Sequence, residues 1–335
     1  MTDTDTNPTL VSNTHLAKRF IILKDNLAKH IIGQDDLISK LIIALLSDGH
    51  LLVEGAPGLA KTKAVKTLSQ FIEGSFQRIQ FTPDLLPTDI TGTEIFRPQT
   101  GEFIFEHGPI FNNLILADEI NRAPAKAQSA LLEAMGERQV TIGRKTYQLP
   151  HLFLVMATQN PIEQHGTYQL PEAQLDRFLL HVNVDYPNLN TEREILRCVQ
   201  EETKESIEAI THKHELVSTQ DIITARRQIL DVHISEPLEQ YLIHIILATR
   251  NPEKYFPNTN TYIQYGASPR ATIALARTAR TVAWLDNRDY VIPEDIKSLA
   301  PDILRHRLIL TYLAEAEHVN KDDCIKEILT NVPVP

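Results

Sequence analysis

The segment Gly55-Ala-Pro-Gly-Leu-Ala-Lys-Thr62 restricts the fold more than any other part of this chain. It is preceded by the strand-like run Leu51–Glu54 and followed by the helix-like stretch Lys61–Phe71. Strand, glycine loop and helix in that order make a phosphate cradle. Glycines let the loop wrap so that backbone N–H groups point inward, and the helix N-terminus adds partial positive charge. In this reading Gly55, Ala56, Pro57, Gly58, Leu59, Ala60, Lys61, Thr62 and Lys63 surround the phosphates of a nucleotide. Lys61 reaches the β- and γ-phosphates and the Thr62 hydroxyl ligates Mg²⁺. The spacing is that of a Walker A loop except at residue 60, which is alanine where glycine is usual. Alanine accepts helical dihedrals, so the loop survives if residue 60 already belongs to the helix.

The remaining strands of an α/β layer are visible as short apolar runs at Phe76–Phe81, Leu114–Ala117, Leu152–Ala157 and Leu179–Val184. Helix-like stretches such as Lys126–Met135 separate some of them, which predicts a parallel sheet covered by helices on both faces. Ahead of the loop, Ile38, Leu41, Ile42, Leu45 and Leu46 recur at helical spacing, with two carboxylates in the first turn. After Tyr186-Pro187 the pattern changes, and only helical segments are legible. Ser235-Glu-Pro-Leu starts one; Ser268-Pro269-Arg270 starts another, with an N-cap serine and proline at the first helical position.

The length of 335 residues suits about two domains of ~150 residues each. The expected division is a polar, disordered tail over 1–14, an α/β domain over 15–187 and an all-helical domain over 188–335. Two hairpins interrupt the α/β domain at about 91–107 and about 137–149, turning near Pro98–Gly101 and at Gly143. The formal net charge of −10 weighs against a surface built to neutralise nucleic-acid phosphates. Cys198 and Cys324 stand outside any metal-ligand spacing. The acidic N-terminus lacks the basic start and apolar run of a secretory signal, and the longest apolar stretch, Leu41–Leu46, is too short to span a bilayer. The chain reads as cytoplasmic.

A second motif supplies carboxylates. Leu114-Ile-Leu-Ala-Asp118-Glu119 is an apolar strand ending in two acids, the Walker B arrangement. Asp118 is placed to hold Mg²⁺ through water and Glu119 to polarise an attacking water. A third strand ends in Thr158-Gln-Asn160-Pro, where an amide can orient that water or sense a γ-phosphate. Alone, Asn160 would be a turn residue before proline; beside the other two motifs it becomes a sensor candidate.

With these motifs in this order, the chain resembles the AAA+ ATPases. The segments Gly108-Pro-Ile-Phe, Ala117-Asp-Glu-Ile-Asn-Arg-Ala-Pro124, Gln128-Ser-Ala-Leu-Leu-Glu-Ala-Met135, Ala157-Thr-Gln-Asn-Pro161 and Gly166-Thr-Tyr-Gln-Leu-Pro-Glu-Ala-Gln-Leu-Asp-Arg-Phe178 resemble the MoxR group in particular. In that group alanine also precedes the loop lysine, so Ala60 conforms; Gln169 stands where proline is usual. The resemblance implies a five-stranded parallel sheet with helices on both faces, followed by a helical lid. It implies ATP and Mg²⁺ as ligands. It also places Ile31, Ile32, Gly33 and Gln34 along the adenine pocket, makes Arg177 an arginine finger toward a neighbouring subunit, and makes Arg270 the second sensor of the lid.

The same resemblance implies a ring, read as a hexamer, that remodels or assembles protein complexes, in maturation or metal-cofactor insertion, beside a partner bearing a von Willebrand A domain. Two other readings share the ring: a nucleic-acid motor or loader, and the motor subunit of a metal chelatase. Acidic balance and the lack of a recognisable nucleic-acid-binding motif place the first ahead. The hairpins are expected toward a ring pore, where Arg138, Arg144 and Lys145 would form a basic cluster.

Overall fold

The structure is a computed structural model describing all residues except 1–7, 57, 60, 100, 162–165, 209–215 and 256–261. In chain order its first strands are β1 (Leu51–Gly55), β2 (Phe76–Gln80), β3 (Gly92–Arg97), β4 (Glu102–His107), β5 (Leu114–Asp118), β6 (Gln139–Ile142), β7 (Lys145–Gln148), β8 (Leu154–Gln159) and β9 (Leu180–Val184). Five of them form a parallel sheet in the order β2-β5-β8-β1-β9. All five residues of β5 are buried, as are Leu51, Leu52 and Val53 of β1. Strands covered on both faces read as continuous apolar runs, which is why they stand out in the sequence. The outer strand β2 buries only Ile79 and leaves Gln77, Arg78 and Gln80 exposed.

The chain forms two compact units. One holds residues 20–170 and 182–222; the other holds the chain up to Arg19 together with 171–181 and 223–335. In the first unit, the helix Asp35–Leu46 buries Ile38, Leu41, Ile42 and Leu45 almost completely, a stabilisation of about 1.5–3 kcal/mol for each side chain. The helix Lys61–Phe71 follows the glycine loop directly. The hairpins β3–β4 and β6–β7 pair antiparallel. Arg138 caps the helix Ala125–Glu137 in the left-handed conformation, and its charge is paired with Asp48 at 2.5 Å.

In the second unit the helices Glu236–Arg250, Pro269–Leu285, Pro293–Leu304 and Lys321–Asn331 dominate. It is not purely helical, because Ile263–Tyr265 pairs antiparallel with Ile309–Leu310; runs of three and two residues carry no readable alternation. Residues 171–181 join this unit, so the chain does not divide at the single point near 187. The reason is a buried clamp. Arg307 donates from Nε to Asp176 Oδ1 at 2.7 Å and from its two Nη atoms to the carbonyls of Phe178 (2.7 Å) and Ile303 (2.5 Å). Arg305 donates to the His181 carbonyl at 2.6 Å, and His306 Nε2 lies 3.0 Å from the Phe178 carbonyl. Burial, with the neighbouring Arg307 and His181, holds the His306 imidazole well below the ordinary histidine range.

A helix runs from Pro8 to His30, inside part of the stretch read as a disordered tail; residues 1–7 lie outside the described residues. Among the described residues no helix is long and apolar enough to cross a membrane.

Candidate functional site

The glycine loop leaves β1 and enters the helix Lys61–Phe71. Gly58 takes φ +85°, the left-handed region that disfavours a β-carbon; Pro57 and Ala60 lie outside the described residues. The Lys61 ammonium donates to the carbonyls of Gly55 at 2.5 Å and Gln159 at 3.3 Å. Burial pulls it below the ordinary lysine range, and the carboxylates of Asp118, Glu119 and Glu54 oppose that pull. Desolvation that favours losing the proton is thus met by acids that favour keeping it.

Sheet order brings the acids to this loop. The register sets Gln80 opposite Asp118 and Ala117 opposite Ala157, so the end of β5 is flanked by β2 on one side and β8 on the other. Thr158, buried, donates to Asp118 Oδ1 at 2.6 Å and accepts from the Glu119 N–H at 2.9 Å. Thr62 Oγ1 donates to Asp118 Oδ2 at 3.4 Å. Arg78 reaches the same Oδ2 with Nε at 3.0 Å and Nη2 at 2.7 Å. Glu119 Oε2 accepts from Gln80 at 2.7 Å and from Arg122 at 2.9 Å. The Glu119 backbone is left-handed, φ +55° and ψ 51°, which costs an L-residue about 1–2 kcal/mol. The Thr158 hydroxyl, accepting from the Glu119 N–H, holds that turn.

These groups line a cleft of about 330 Å³ bounded by Gly58, Leu59, Lys61, Thr62, Lys63, Asp118, Glu119, Thr158 and Asn160. A hydroxyl and a carboxylate facing one another form an oxygen-only donor set, which suits Mg²⁺ with its retained waters. A second cavity of about 290 Å³ shares Gly58, Leu59 and Lys63 with it and continues along Ile31, Ile32 and Gln34 to Pro187, Glu192, Ile195 and Cys198. The last three sit at three-residue spacing on one face of the helix Leu189–Glu208, whose first turn is capped by the Asn188 side chain. Gly33 lies against Thr191 of that helix: at φ +76°, a β-carbon there would fall 2.1 Å from Thr191 Cγ2.

Arg177 and Arg270 lie in the second unit, where both adjoin Asp176. Arg270 Nη1 is 3.7 Å from Asp176 Oδ2, and Ser268 donates to that oxygen at 2.8 Å while capping the Arg270 N–H at 3.2 Å. Arg177 directly follows Asp176 and is half-buried. The sequence reading gave no role to Arg78, Gln80, Arg122 or Thr158, nor to the cavity wall from Pro187 to Cys198. Thr158 and Arg122 stand inside motifs already quoted; Arg78 and the wall have no local signal.

A doubly covered parallel sheet whose first loop and strand β5 converge in this way defines a P-loop ATPase of the AAA+ class. The family model for the ATPase family associated with various cellular activities (AAA) matches residues 50–180, and that for an AAA lid domain matches 257–328. The chain is 45% identical over 327 residues to the chaperone MoxR1 of Mycobacterium tuberculosis, spanning 97% of this chain and 84% of that protein. It is 42% identical to the uncharacterized protein YeaC of Bacillus subtilis, with 93% of each covered. A crystal structure from Cytophaga hutchinsonii, described as that of an ATPase, superposes with a TM-score of 0.86 at 46% identity, covering 96% of this chain and 97% of the other. The chain belongs to the MoxR family of AAA+ ATPases, and its enzymatic activity is ATP hydrolysis.

Proposed function

We propose that this chain is an ATP-driven chaperone that works as a cytoplasmic ring, read as a hexamer, and remodels or matures protein complexes beside a partner with a von Willebrand A domain. The observation that carries the reading is the convergence of Lys61, Thr62, Asp118, Glu119 and Asn160 on one cleft. The chaperone name of the relative from Mycobacterium tuberculosis supports the remodelling part.

In this proposal Lys61 binds the β- and γ-phosphates. Thr62 and Asp118 hold Mg²⁺, the latter through water. Glu119 takes a proton from the attacking water, and Asn160 orients that water. The aliphatic cavity beside Ile31 and Ile32 receives adenine. Mg-ATP, when bound, supplies the scissile phosphoanhydride bond and the metal charge that stabilises its cleavage. Arg177 completes the neighbouring subunit's site and Arg270 senses the nucleotide from the lid.

The shared-site part is tested by Arg177→Ala. Steady-state ATPase assays should show a loss of ~10³–10⁵ in rate, with partial recovery when Arg177→Ala and Lys61→Ala subunits are mixed. A fully active monomer would sink the shared site. The partner is tested by capture on the Glu119→Gln variant in ATP, where a von Willebrand A domain protein should co-purify; its absence from every eluate defeats that assignment.

A further inference from the structure

We propose that Arg78 is an internal counter-ion of Asp118 that hydrated Mg²⁺ must displace, so that Arg78 sets the magnesium requirement for nucleotide binding. This inference rests on the reading of the 330 Å³ cleft as the Mg-nucleotide site.

The Asp118 carboxylate has about four lone-pair positions, and their use is explicit. Oδ1 turns toward β8 and takes the Thr158 hydroxyl at 2.6 Å. Oδ2 turns toward Thr62, 3.4 Å away, and takes two donors of Arg78 at 3.0 and 2.7 Å. The oxygen beside Thr62 is the one a metal-bound water would reach, because a cation held by the Thr62 hydroxyl lies on that side. Arg78 and the hydrated cation therefore compete for one atom.

The two partners are not equally free to move. The Asp118 side chain is 11% exposed and fixed by Thr158, whereas the Arg78 side chain is 51% exposed on the outer strand β2. Arg78 also shares Nη2 with Gln80 Oε1 at 2.7 Å, a contact that steadies the guanidinium from its own strand. The carboxylate stays in place and the arginine can swing out to water.

The pair acts in two ways. It compensates a carboxylate that would otherwise be poorly solvated, and it opposes a second cation by repulsion and by filling lone pairs. Lys61, the nearby cation on the loop, is directed instead at the carbonyls of Gly55 and Gln159. Removing Arg78 leaves Asp118 undercompensated, and Mg²⁺ then becomes its best available partner.

The test uses the full chain and a fluorescent, non-hydrolysable ATP analogue, mant-AMPPNP, titrated with Mg²⁺. In Arg78→Gln and Arg78→Ala the half-saturating Mg²⁺ concentration should fall about threefold to tenfold, the scale of a charge-assisted but half-solvated pair. Arg78→Lys should fall less, because it keeps the charge and loses the two-donor geometry. Mn²⁺ binding followed by electron paramagnetic resonance in the presence of the same analogue should shift in the same direction. A midpoint unchanged or raised in both neutral variants overturns the counter-ion while leaving the nucleotide site standing. If wild-type protein binds the analogue without regard to Mg²⁺, or binding survives Lys61→Ala, the nucleotide-site reading fails and takes the counter-ion with it.

Discussion

The two cavities that meet at Gly58, Leu59 and Lys63 have similar volumes, about 330 and 290 Å³, but the second is the more apolar of the two. The first is walled by two lysines, two hydroxyls, two acids and an amide, most of them in hydrogen bonds at defined distances. The second carries aliphatic groups on Ile31, Ile32, Leu59, Pro187 and Ile195, beside His30, Gln34, Lys63 and Glu192. Charged groups on the first side act only if their positions are held to fractions of an ångström. The second side needs shape and an apolar surface, which many side chains can provide. Under the proposed function, catalysis depends on the polar side, and the apolar side contributes to nucleotide affinity without taking part in turnover.

The largest expected effect breaks the polar side alone. Glu119→Gln keeps the size of the side chain and its acceptor for Gln80 but removes the proposed base, so kcat should fall by ~10²–10⁴ while the dissociation constant for ATP stays near wild type. Stopped-flow binding beside a phosphate-release assay separates the two, and normal turnover would show that Glu119 is not the base. A smaller effect is expected at Thr158→Val, which leaves the Glu119 N–H and Asp118 Oδ1 without their shared hydroxyl. Such a loss costs about 1–3 kcal/mol, read as a lower Tm together with a reduced kcat. A variant that loses stability but keeps full kcat would reduce Thr158 to a purely structural link. The smallest effect belongs to the apolar side. Ile32→Ala should raise the dissociation constant for ATP by less than about tenfold, on the scale of a few CH₂ groups at about 0.8 kcal/mol each for a half-exposed residue. At saturating ATP its kcat should match wild type, and a drop in kcat would erase the proposed separation between the two cavities.

Much of the polar side is legible in the sequence because its parts are contiguous. The loop from Gly55 to Thr62 and the strand end at Asp118-Glu119 each carry their chemistry within a few residues. The sheet is legible too, since β1, β5 and β8 are buried on both faces and read as unbroken apolar runs. Arg78 is not legible. It sits on a strand that exposes most of its residues, and only the pairing of β2 with β5 brings it to Asp118, forty positions away. The wall from Pro187 to Cys198 is hidden for the same reason: its contact with Ile31 and Ile32 depends on packing across more than 150 residues, as local spacing cannot show. The purely helical expectation for the later part of the chain misses Ile263–Tyr265 and Ile309–Leu310, whose pairing is too short to leave a pattern.

The clamp of Arg305, His306 and Arg307 on residues 176–181 bears on how this chain can be taken apart. A cut near residue 187 looks natural from composition, yet it would strip the helical unit of Asp176, the only carboxylate drawn to the guanidinium of Arg307 among the described hydrogen bonds. Removing one partner of a buried ion pair costs about 3–5 kcal/mol, much of the stability of a unit this size. The C-terminal part is thus an assembly that borrows an internal stretch of the chain to be whole. Gene fusions, shuffled chimaeras and proteolytic dissection should respect a discontinuous boundary that carries residues 171–181 along with it.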